Sequence, residues 1–465
     1  MSVPAKTRPE RGQELDLRVD TLAYGGNGVA RLDGYVVFVA GGVPGDRVRA
    51  VVTKRKRGYA EARTIEVLEP SPDRVEPAAP GHPGTPWQVL PYERQLEVKA
   101  EQVDEALRRI GRLDGFELEP IIPALDPWRY RNKLEYSFGT AEDGTLVCGF
   151  HKPGSWEEIV HVDDDLLASE PVNALRRLVV DWCRSEGLGA YDRRAQSGLL
   201  HNLVIREGRR TGDLQVRMVT DAESAAFDDD AFASTVAGHG AFWTRMHHVG
   251  ETTTGGETDH LGGAPQLREE LADLEFRVSP EAFFQTNTEM AERLYGIAGE
   301  YAALKGYERV YDLYCGMGTI GLTLAPRAGE LFGLEVVEQA VGDAIANAKR
   351  NDVTNARFFA GDVRLAMREL VETAGKPDVV VLDPPRSGLS QKVVRRVIES
   401  APKRIVYVSC NPTTLAPNAA QLAEAGWRLT KVRPVDMFPQ THHIECVALL
   451  EAGPDGVKNP DRDER

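Results

Sequence analysis

Three short stretches near the C-terminal end carry side chains that can do covalent or acid–base chemistry. "VYVSCNP" (406–412) stops a run of β-branched and aromatic residues at Cys410 and an Asn-Pro turn. "VVVLDPPRSGL" (379–389) stops a similar run at Asp383, and two prolines then fix the turn without adding amide donors. In "THHIECVALL" (441–450), Glu445 heads an otherwise apolar strand just after the His442-His443 pair. A thiol so placed is a candidate nucleophile, and a carboxylate beside it a candidate general base. Burying a carboxylate at the head of an apolar strand is costly unless it has a purpose or a partner. Each residue also has a plainer reading. A lone cysteine is ordinarily a small buried hydrophobe, which suits Cys148, Cys183 and Cys446, with Cys315 as packing inside a glycine turn. Asp383 can serve as a helix N-cap. The two histidines with Glu445 are not expected to hold a metal, because neighbours on a strand point to opposite faces.

From about residue 278 to 452, strand-like runs such as "ERVYDLYCG", "PDVVVLDPP" and "RIVYVSCNP" alternate with helical ones such as "VEQAVGDAIANAKRND". That pattern is a doubly wound, Rossmann-like α/β sheet, here with two final strands unseparated by a helix. Ligands of such sheets lie beyond the carboxyl ends of the strands, where Asp383 and Cys410 stand. "VYDLYCGMGTIGL" (310–322) reads as strand, glycine turn and helix start, with Gly316 and Gly318 letting the backbone approach a ligand. Glu335 ends the next strand, where a carboxylate can accept from both ribose hydroxyls of an adenosyl group. Asp362, in "AGDV", ends the third strand where an adenine edge would lie. The turn lacks a full G-x-G-x-x-G, which weighs against NAD. As a set these residues point to S-adenosylmethionine; the alternative is ordinary turn glycines and capping carboxylates.

The rest of the chain divides by pattern. Residues 11–70 alternate in short runs broken by glycine turns, as expected of a small β-barrel of about five strands. Arg47, Arg49, Lys54, Arg55, Lys56, Arg57 and Arg63 cluster there with Tyr59, a patch that suits a nucleic-acid backbone or else a solvated hairpin. Residues 71–275 hold a Pro-rich linker and a central α+β part. A helix runs through Leu96, Val103 and Leu107 to Gly111, and another over "EPVNALRRLVVDWCRSEGL". Residues 1–10 and 453–465 are polar and expected to be disordered. The net charge of −15 is no advertisement for nucleic acid, but the placement of the basic residues decides that question. Five scattered cysteines without a C-x-x-C pair argue against a disulfide framework and an ordinary metal site. No long apolar stretch or hydrophobic signal core appears, so a cytoplasmic protein without a membrane partner is expected.

One chemistry uses a thiol, a base, a methyl donor and a polar group at a base edge. Carbon 5 of uracil is a poor nucleophile, but adding a thiolate to carbon 6 makes an enolate that can take a methyl group. A base then removes the carbon 5 proton and the thiolate leaves. Cys410, Glu445, the adenosyl site and Asp383 supply one of each. At this point the chain closely resembles the RNA uracil-5-methyltransferase family. The segments "YRNKLEYSFG", "FFQTN", "DLYCGMG", "GLEVVEQA", "AGDV", "LDPPRSGL", "SCNP" and "THHIE" follow in that family's order, and 11–70 resembles a TRAM barrel. The resemblance implies S-adenosylmethionine binding by Gln285, Tyr314, Thr319, Glu335, Asp362 and Asp383. It also puts Cys410 on the nucleophile and Glu445 on the general base. The expected partner is RNA, rRNA ahead of tRNA because of the barrel, and the protein is expected to be a monomer.

There is one departure. Many TRAM-bearing rRNA members hold a 4Fe–4S cluster on three cysteines before a Trp-Gln pair and a fourth later. Here "EPAAPGHPGTPWQVL" (76–90) and "VHVDDDLL" (160–167) contain none, so no cluster is expected. Two further rivals are a cytosine-5 RNA methyltransferase, which usually works with two motif cysteines, and an RNA-binding protein with a degenerate methyltransferase domain. The Asp-Pro-Pro turn lacks the second cysteine, and the intact Cys410, Glu445 and adenosyl set opposes degeneracy.

Overall fold

Five strands close into the N-terminal barrel: β1 (Glu14–Leu22), β2 (Gly28–Leu32), β3 (Tyr35–Ala40), β4 (Arg47–Arg55) and β5 (Tyr59–Glu69), in the order β1-β2-β3-β5-β4. The alternation read from sequence is real, with Leu15, Leu17, Val37, Val39, Val48 and Ala60 filling the interior. The structure, a computed structural model, describes residues 8–222, 227–247, 252–454, 456 and 457. The termini expected to be disordered fall in good part on 1–7, 455 and 458–465, outside the described residues. The barrel's basic cluster splits in two. Arg47, Arg49 and Lys54 pair with Glu69, Glu66 and Glu61 across the β4–β5 ladder, while Arg55, Lys56 and Arg57 are exposed at its turn.

Helix α1 (Tyr92–Glu105) continues into one π turn and stops at Gly111. Its buried face is largely polar, with Gln95, Lys99 and Gln102 inside beside Val98 and Val103, while Leu96 is only half-buried. The apolar periodicity through Leu96 thus missed what the helix is for. With the short strand β6 (Glu117–Leu118), α1 packs on the C-terminal sheet rather than on the central part.

The central sheet has the order β13-β12-β11-β10-β7-β8-β9. Its strands are β7 (Lys133–Thr140), β8 (Leu146–His151), β9 (Ile159–His161), β10 (Leu200–Glu207), β11 (Leu214–Asp221), β12 (Gly240–Met246) and β13 (Glu257–Gly262). Helix α2 (Glu170–Ser185) covers one face, and a short α3 (Asp229–Thr235), not read from sequence, lies beside it. A hairpin, β14 (Leu267–Leu271) and β15 (Leu274–Val278), then leads to α4 (Thr288–Ala302).

The C-terminal sheet runs β18-β17-β16-β19-β20-β22-β21-β6. Strands β16 (Arg309–Leu313), β17 (Glu330–Glu335), β18 (Ala356–Ala360), β19 (Val379–Leu382) and β20 (Arg404–Ser409) are parallel; β22 (Glu445–Ala452) returns antiparallel to β20 and β21 (Trp427–Val435). The crossovers are α5 (Thr319–Leu324), α6 (Glu338–Arg350), α7 (Val363–Ala374), α8 (Gln391–Ser400) and α9 (Pro412–Glu424). Strands covered on both faces must be apolar throughout, and all four residues of β19 are buried. The two last strands follow without a helix, as the pattern indicated. Among the described residues, no helix is long and apolar enough to cross a membrane.

Candidate active site

Cys410 is set by strand register. Ser409 on β20 pairs with Cys446 on β22, so the next step along each strand puts Cys410 opposite Glu445. Asn411 fixes the turn: its side-chain oxygen accepts the Thr413 amide at 3.0 Å as the cap of α9, and its amide donates to the Arg386 carbonyl at 3.0 Å. Cys410 is half-buried, whereas the other four cysteines are buried. Burial, then Glu445, push its thiol up to about 11, and the Arg386 charge pulls the other way. Glu445 is 4% exposed; burial and then Asp383 hold it well above the usual carboxylate range, again against Arg386. Burial pushes Asp383 up to about 7. The cap of α8 is Ser390, so the helix-cap reading of Asp383 does not hold.

Two residues of this group were not singled out from sequence. Arg386, in the Asp-Pro-Pro-Arg turn, hydrogen-bonds to His443 Nδ1, and its charge opposes the upward shifts of both Cys410 and Glu445. His443 accepts that bond in its neutral form, its ring pushed down to about 3 by burial and then by His442 and Arg386. Tyr24 comes from the barrel, 386 positions earlier, and its hydroxyl donates to the Cys410 carbonyl at 3.4 Å. Its phenol is pushed up to about 12, chiefly by burial. The β1–β2 turn can lie this close because Gly26, at φ 89°, has no side chain; a Cβ there would stand 3.0 Å from the His442 ring. His442 and His443 precede β22 in a loop and their rings lie 4.4 Å apart, which corrects the opposite-face expectation. That expectation assumed a strand the chain has not yet entered.

The quoted segments are tied to one another through buried polar groups. Asn132 of "YRNKL" donates from its side chain to the Gln285 carbonyl at 2.8 Å and from its amide to Thr286 at 2.9 Å. Asn287 donates to the Met437 carbonyl at 3.1 Å, and Tyr130 to that of Pro439 at 3.1 Å. From the other side, Lys99 of α1 meets Asp436 at 2.6 Å, both fully buried, and Gln95 exchanges bonds with Gln440 at 2.8 and 2.9 Å. The polar face of α1 therefore holds the loop that delivers His443 and Glu445. Gln285 is left nearly buried, and Phe283, two residues before it, stands 70% exposed.

Of the residues expected to hold the cofactor, Tyr314, Thr319, Glu335 and Asp362 gather beyond the ends of β16, β17 and β18, while Gln285 precedes α4 and Asp383 follows β19. Tyr314, Gly316 and Gly318 all have positive φ, curling the backbone so that the Tyr314 and Cys315 amides reach the Leu334 carbonyl. A Cβ built on Gly316 meets nothing within 4 Å, so the space over the turn is open to a ligand. Asp312 is fully buried; Oδ2 accepts the Gly321 amide at 2.9 Å, but Oδ1 has no partner. Burial and Asp383 push it up to about 7. Glu335 accepts the Gly316 amide at 3.1 Å and the Val336 and Val337 amides at 2.8 and 3.0 Å. A carboxylate has about four lone-pair sites, so acceptor capacity remains for hydroxyl donors. Thr319 opens α5 and shares a 3.1 Å bond with Tyr295. Asp362 caps α7 and pairs with Arg364, so the capping reading is realised there. Tyr314, pushed up to about 12 by burial and then Asp362, lies among Asp362, Arg364 and Glu335. The orphaned buried oxygen, the open glycine turn and the exposed Val336 and Val337 fit an adenosyl group carrying a cation.

Comparison with known proteins agrees with this geometry. Residues 264–453 match the family described as tRNA (uracil-5-)-methyltransferase, and residues 8–65 match the TRAM domain. An uncharacterized RNA methyltransferase of Halalkalibacterium halodurans is 36% identical over 444 residues, covering 94% of this chain and 96% of the relative. One from Chlorobaculum tepidum is 39% identical, covering 90% and 92%. The crystal structure of Pyrococcus abyssi tRNA (uracil-54, C5)-methyltransferase, in complex with S-adenosyl-L-homocysteine, is similar at a TM-score of 0.75 and 28% identity, over 94% of this chain and all of that one.

Proposed function

This chain belongs to the RNA uracil-5-methyltransferase family, and on that premise we propose that it forms 5-methyluridine in rRNA through Cys410 and Glu445. It is an S-adenosylmethionine-dependent RNA methyltransferase. The observation that carries the finer reading is the register that sets Cys410 opposite Glu445, one step beyond the Ser409–Cys446 pair of β20 and β22, with the Arg386 charge acting on both.

Cys410 adds as thiolate to carbon 6 of uracil, with Arg386 offsetting the charge that burial disfavours. When bound, the sulfonium supplies an electrophilic methyl group to the carbon 5 nucleophile. Glu445, ionised beside Arg386, takes the carbon 5 proton once the methyl group has been transferred, and the Cys410 thiolate is eliminated. Gln285, Tyr314, Thr319, Glu335, Asp362 and Asp383 hold the donor, and Gln285 and Asp383 also face the base.

Two features support the finer choices. The exposed Arg55–Arg57 turn on the barrel favours a large RNA, hence rRNA. An iron–sulfur cluster is not expected, because the segments that would carry its cysteines are joined differently. His82 Nε2 meets Asp165 at 3.0 Å, with Tyr136 donating to the other carboxylate oxygen at 2.9 Å. The protein is taken to act as a cytoplasmic monomer. The rival substrate is tRNA, favoured by the likeness to the Pyrococcus abyssi enzyme. The test is incubation with unmodified rRNA and tRNA transcripts and a labelled methyl donor, followed by nucleoside analysis. 5-Methyluridine in rRNA is the expected product; 5-methyluridine in tRNA alone favours the rival, and methylcytidine or no product overturns the reading.

A further inference from the structure

We infer that a buried His82–Asp165–Tyr136 clasp positions the loop 436–444 of the candidate active site, acting through the linker segment 82–90. That segment is built of turns, with no helix or strand, so its own bonds must place it. His82 Nδ1 accepts the Gly84 amide at 3.0 Å, which puts the ring proton on Nε2, facing Asp165 Oδ1 at 3.0 Å. Tyr136 of β7 donates to Asp165 Oδ2 at 2.9 Å, and the Leu167 amide donates to Oδ1 at 2.9 Å. Asn173 of α2 grips the backbone of Asp165, accepting its amide at 3.0 Å and donating to its carbonyl at 3.0 Å. Burial works to raise the Asp165 carboxyl, but the His82 bond, ahead of its other partners, holds it below the usual carboxylate range. Packing is equally close, since a Cβ on Gly84 would stand 2.9 Å from the Leu167 side chain and 3.0 Å from the His82 ring.

The far end of the segment meets the active-site loop. Amides of Thr85, Gln88 and Leu90 donate back to His82, Thr85 and Trp87 at 3.3, 3.2 and 2.9 Å, linking the turns into one run. Buried Trp87 donates its amide to the Gln440 carbonyl at 3.0 Å, and its own carbonyl accepts from Gln95 at 3.0 Å. Gln440 needs this hold. Its φ of 65° is left-handed, and a residue with a side chain keeps that conformation only where its neighbours over-determine it. His442 and His443 come next, and Glu445 begins β22. The same two segments, 76–90 and 160–167, do not fit an iron–sulfur cluster. Both His82 nitrogens and both Asp165 oxygens are engaged. Among the described residues, no three His, Cys, Asp or Glu side chains are grouped to hold a metal. Hydrogen bonds join the segments instead.

The inference rests on loop 436–444 belonging to the active site, as in the proposed mechanism, and not on which RNA is methylated. Its test uses the full chain, with methyl-transfer kinetics on unmodified rRNA and tRNA transcripts and amide hydrogen exchange. His82→Ala is expected to lower kcat about ten- to a hundredfold while the KM for S-adenosylmethionine stays as it was. Exchange at Trp87 and Gln440 should quicken about tenfold or more. His82→Gln, whose amide nitrogen can stand in for Nε2, is expected to recover most of kcat and the protection. Tyr136→Phe gives a smaller change in the same direction and serves if His82→Ala disturbs folding. Wild-type kcat and exchange in both His82→Ala and Tyr136→Phe overturn the inference. So does a His82→Gln as impaired as His82→Ala, or stoichiometric iron with acid-labile sulfide in protein purified without oxygen. If exchange quickens in His82→Ala but wild type forms no 5-methyluridine, the functional reading fails and the clasp stands. If 5-methyluridine forms and the variants behave as wild type, the clasp alone fails.

Discussion

At the ends of β16, β17 and β18, Glu335 and Asp362 are held by backbone amides, whereas at the ends of β19, β20 and β22, burial pushes up Asp383, Cys410 and Glu445, with the Arg386 charge opposing the shift at Cys410 and Glu445. The first half, the proposed donor site, is largely assembled in advance, because Glu335 and Asp362 have their donors before any ligand arrives. The second half is a desolvated cluster in which burial raises every acidic group. Its reactive forms, a thiolate and a carboxylate, become favourable only when opposite charge or substrate enters. In the proposed mechanism, the same sheet edge separates recognition from reactivity by solvation. Four of the five cysteines are buried, and Cys410 is the one left half-buried.

The sharpest way to break this division is at the thiol. Cys410→Ala is expected to lower turnover by about a thousandfold or more in a methyl-transfer assay. Cys446→Ala, a fully buried neighbour, should keep its activity; equal losses would mean that Cys410 matters for packing rather than chemistry. Glu445→Gln removes the base and is expected to slow turnover about a hundredfold or more, with little change in donor affinity.

On the other half, Glu335→Ala is expected to weaken binding of the methyl donor by about ten- to a hundredfold, the worth of hydrogen bonds to a charged group. RNA affinity should stay as it was; calorimetric titration of each ligand separates the two. A pH dependence links the halves. Asp383 is pushed up to about 7, so it is mainly neutral below that pH and ionised above it. A cationic sulfonium should bind about tenfold tighter at pH 8 than at pH 6, while neutral S-adenosylhomocysteine binds alike at both. Parallel slopes for the two ligands would remove Asp383 from the sulfonium's surroundings. By the same raised pKa, the free protein should lose stability as pH climbs from the ordinary carboxylate range to about 7. The smallest effect is at the barrel. Tyr24→Phe loses one hydrogen bond to Cys410 and should cost only about three- to tenfold in turnover. No change at all would reduce that contact to packing.

Local pattern made much of the sheet edge legible, because strand ends, glycine turns and the Asn-Pro cap are written in consecutive residues. Cys410, Asp383 and the glycine turn were placed that way, and the five-strand barrel emerged from alternation alone. What stayed hidden depends on distant partners. Tyr24 reaches Cys410 across 386 positions. Arg386 stood inside a quoted motif, but nothing local shows which way an arginine turns. The buried polar face of α1 defeated a search for apolar periodicity, since Lys99 is interior only because Asp436 awaits it. The His82–Asp165 contact is likewise visible only once residues 76–90 and 160–167 are brought together. Asp362 shows the opposite case, where the plain capping role read beside the functional one is the contact the side chain makes.

The most direct test of the central claim is trapping. Glu445→Gln, incubated with the methyl donor and unmodified rRNA transcript, should stall after methyl transfer and leave RNA bonded to the protein. Peptide mass analysis after nuclease digestion is expected to find a methylated uridine adduct on Cys410. An adduct on another residue, or full turnover by Cys410→Ala, would contradict the account.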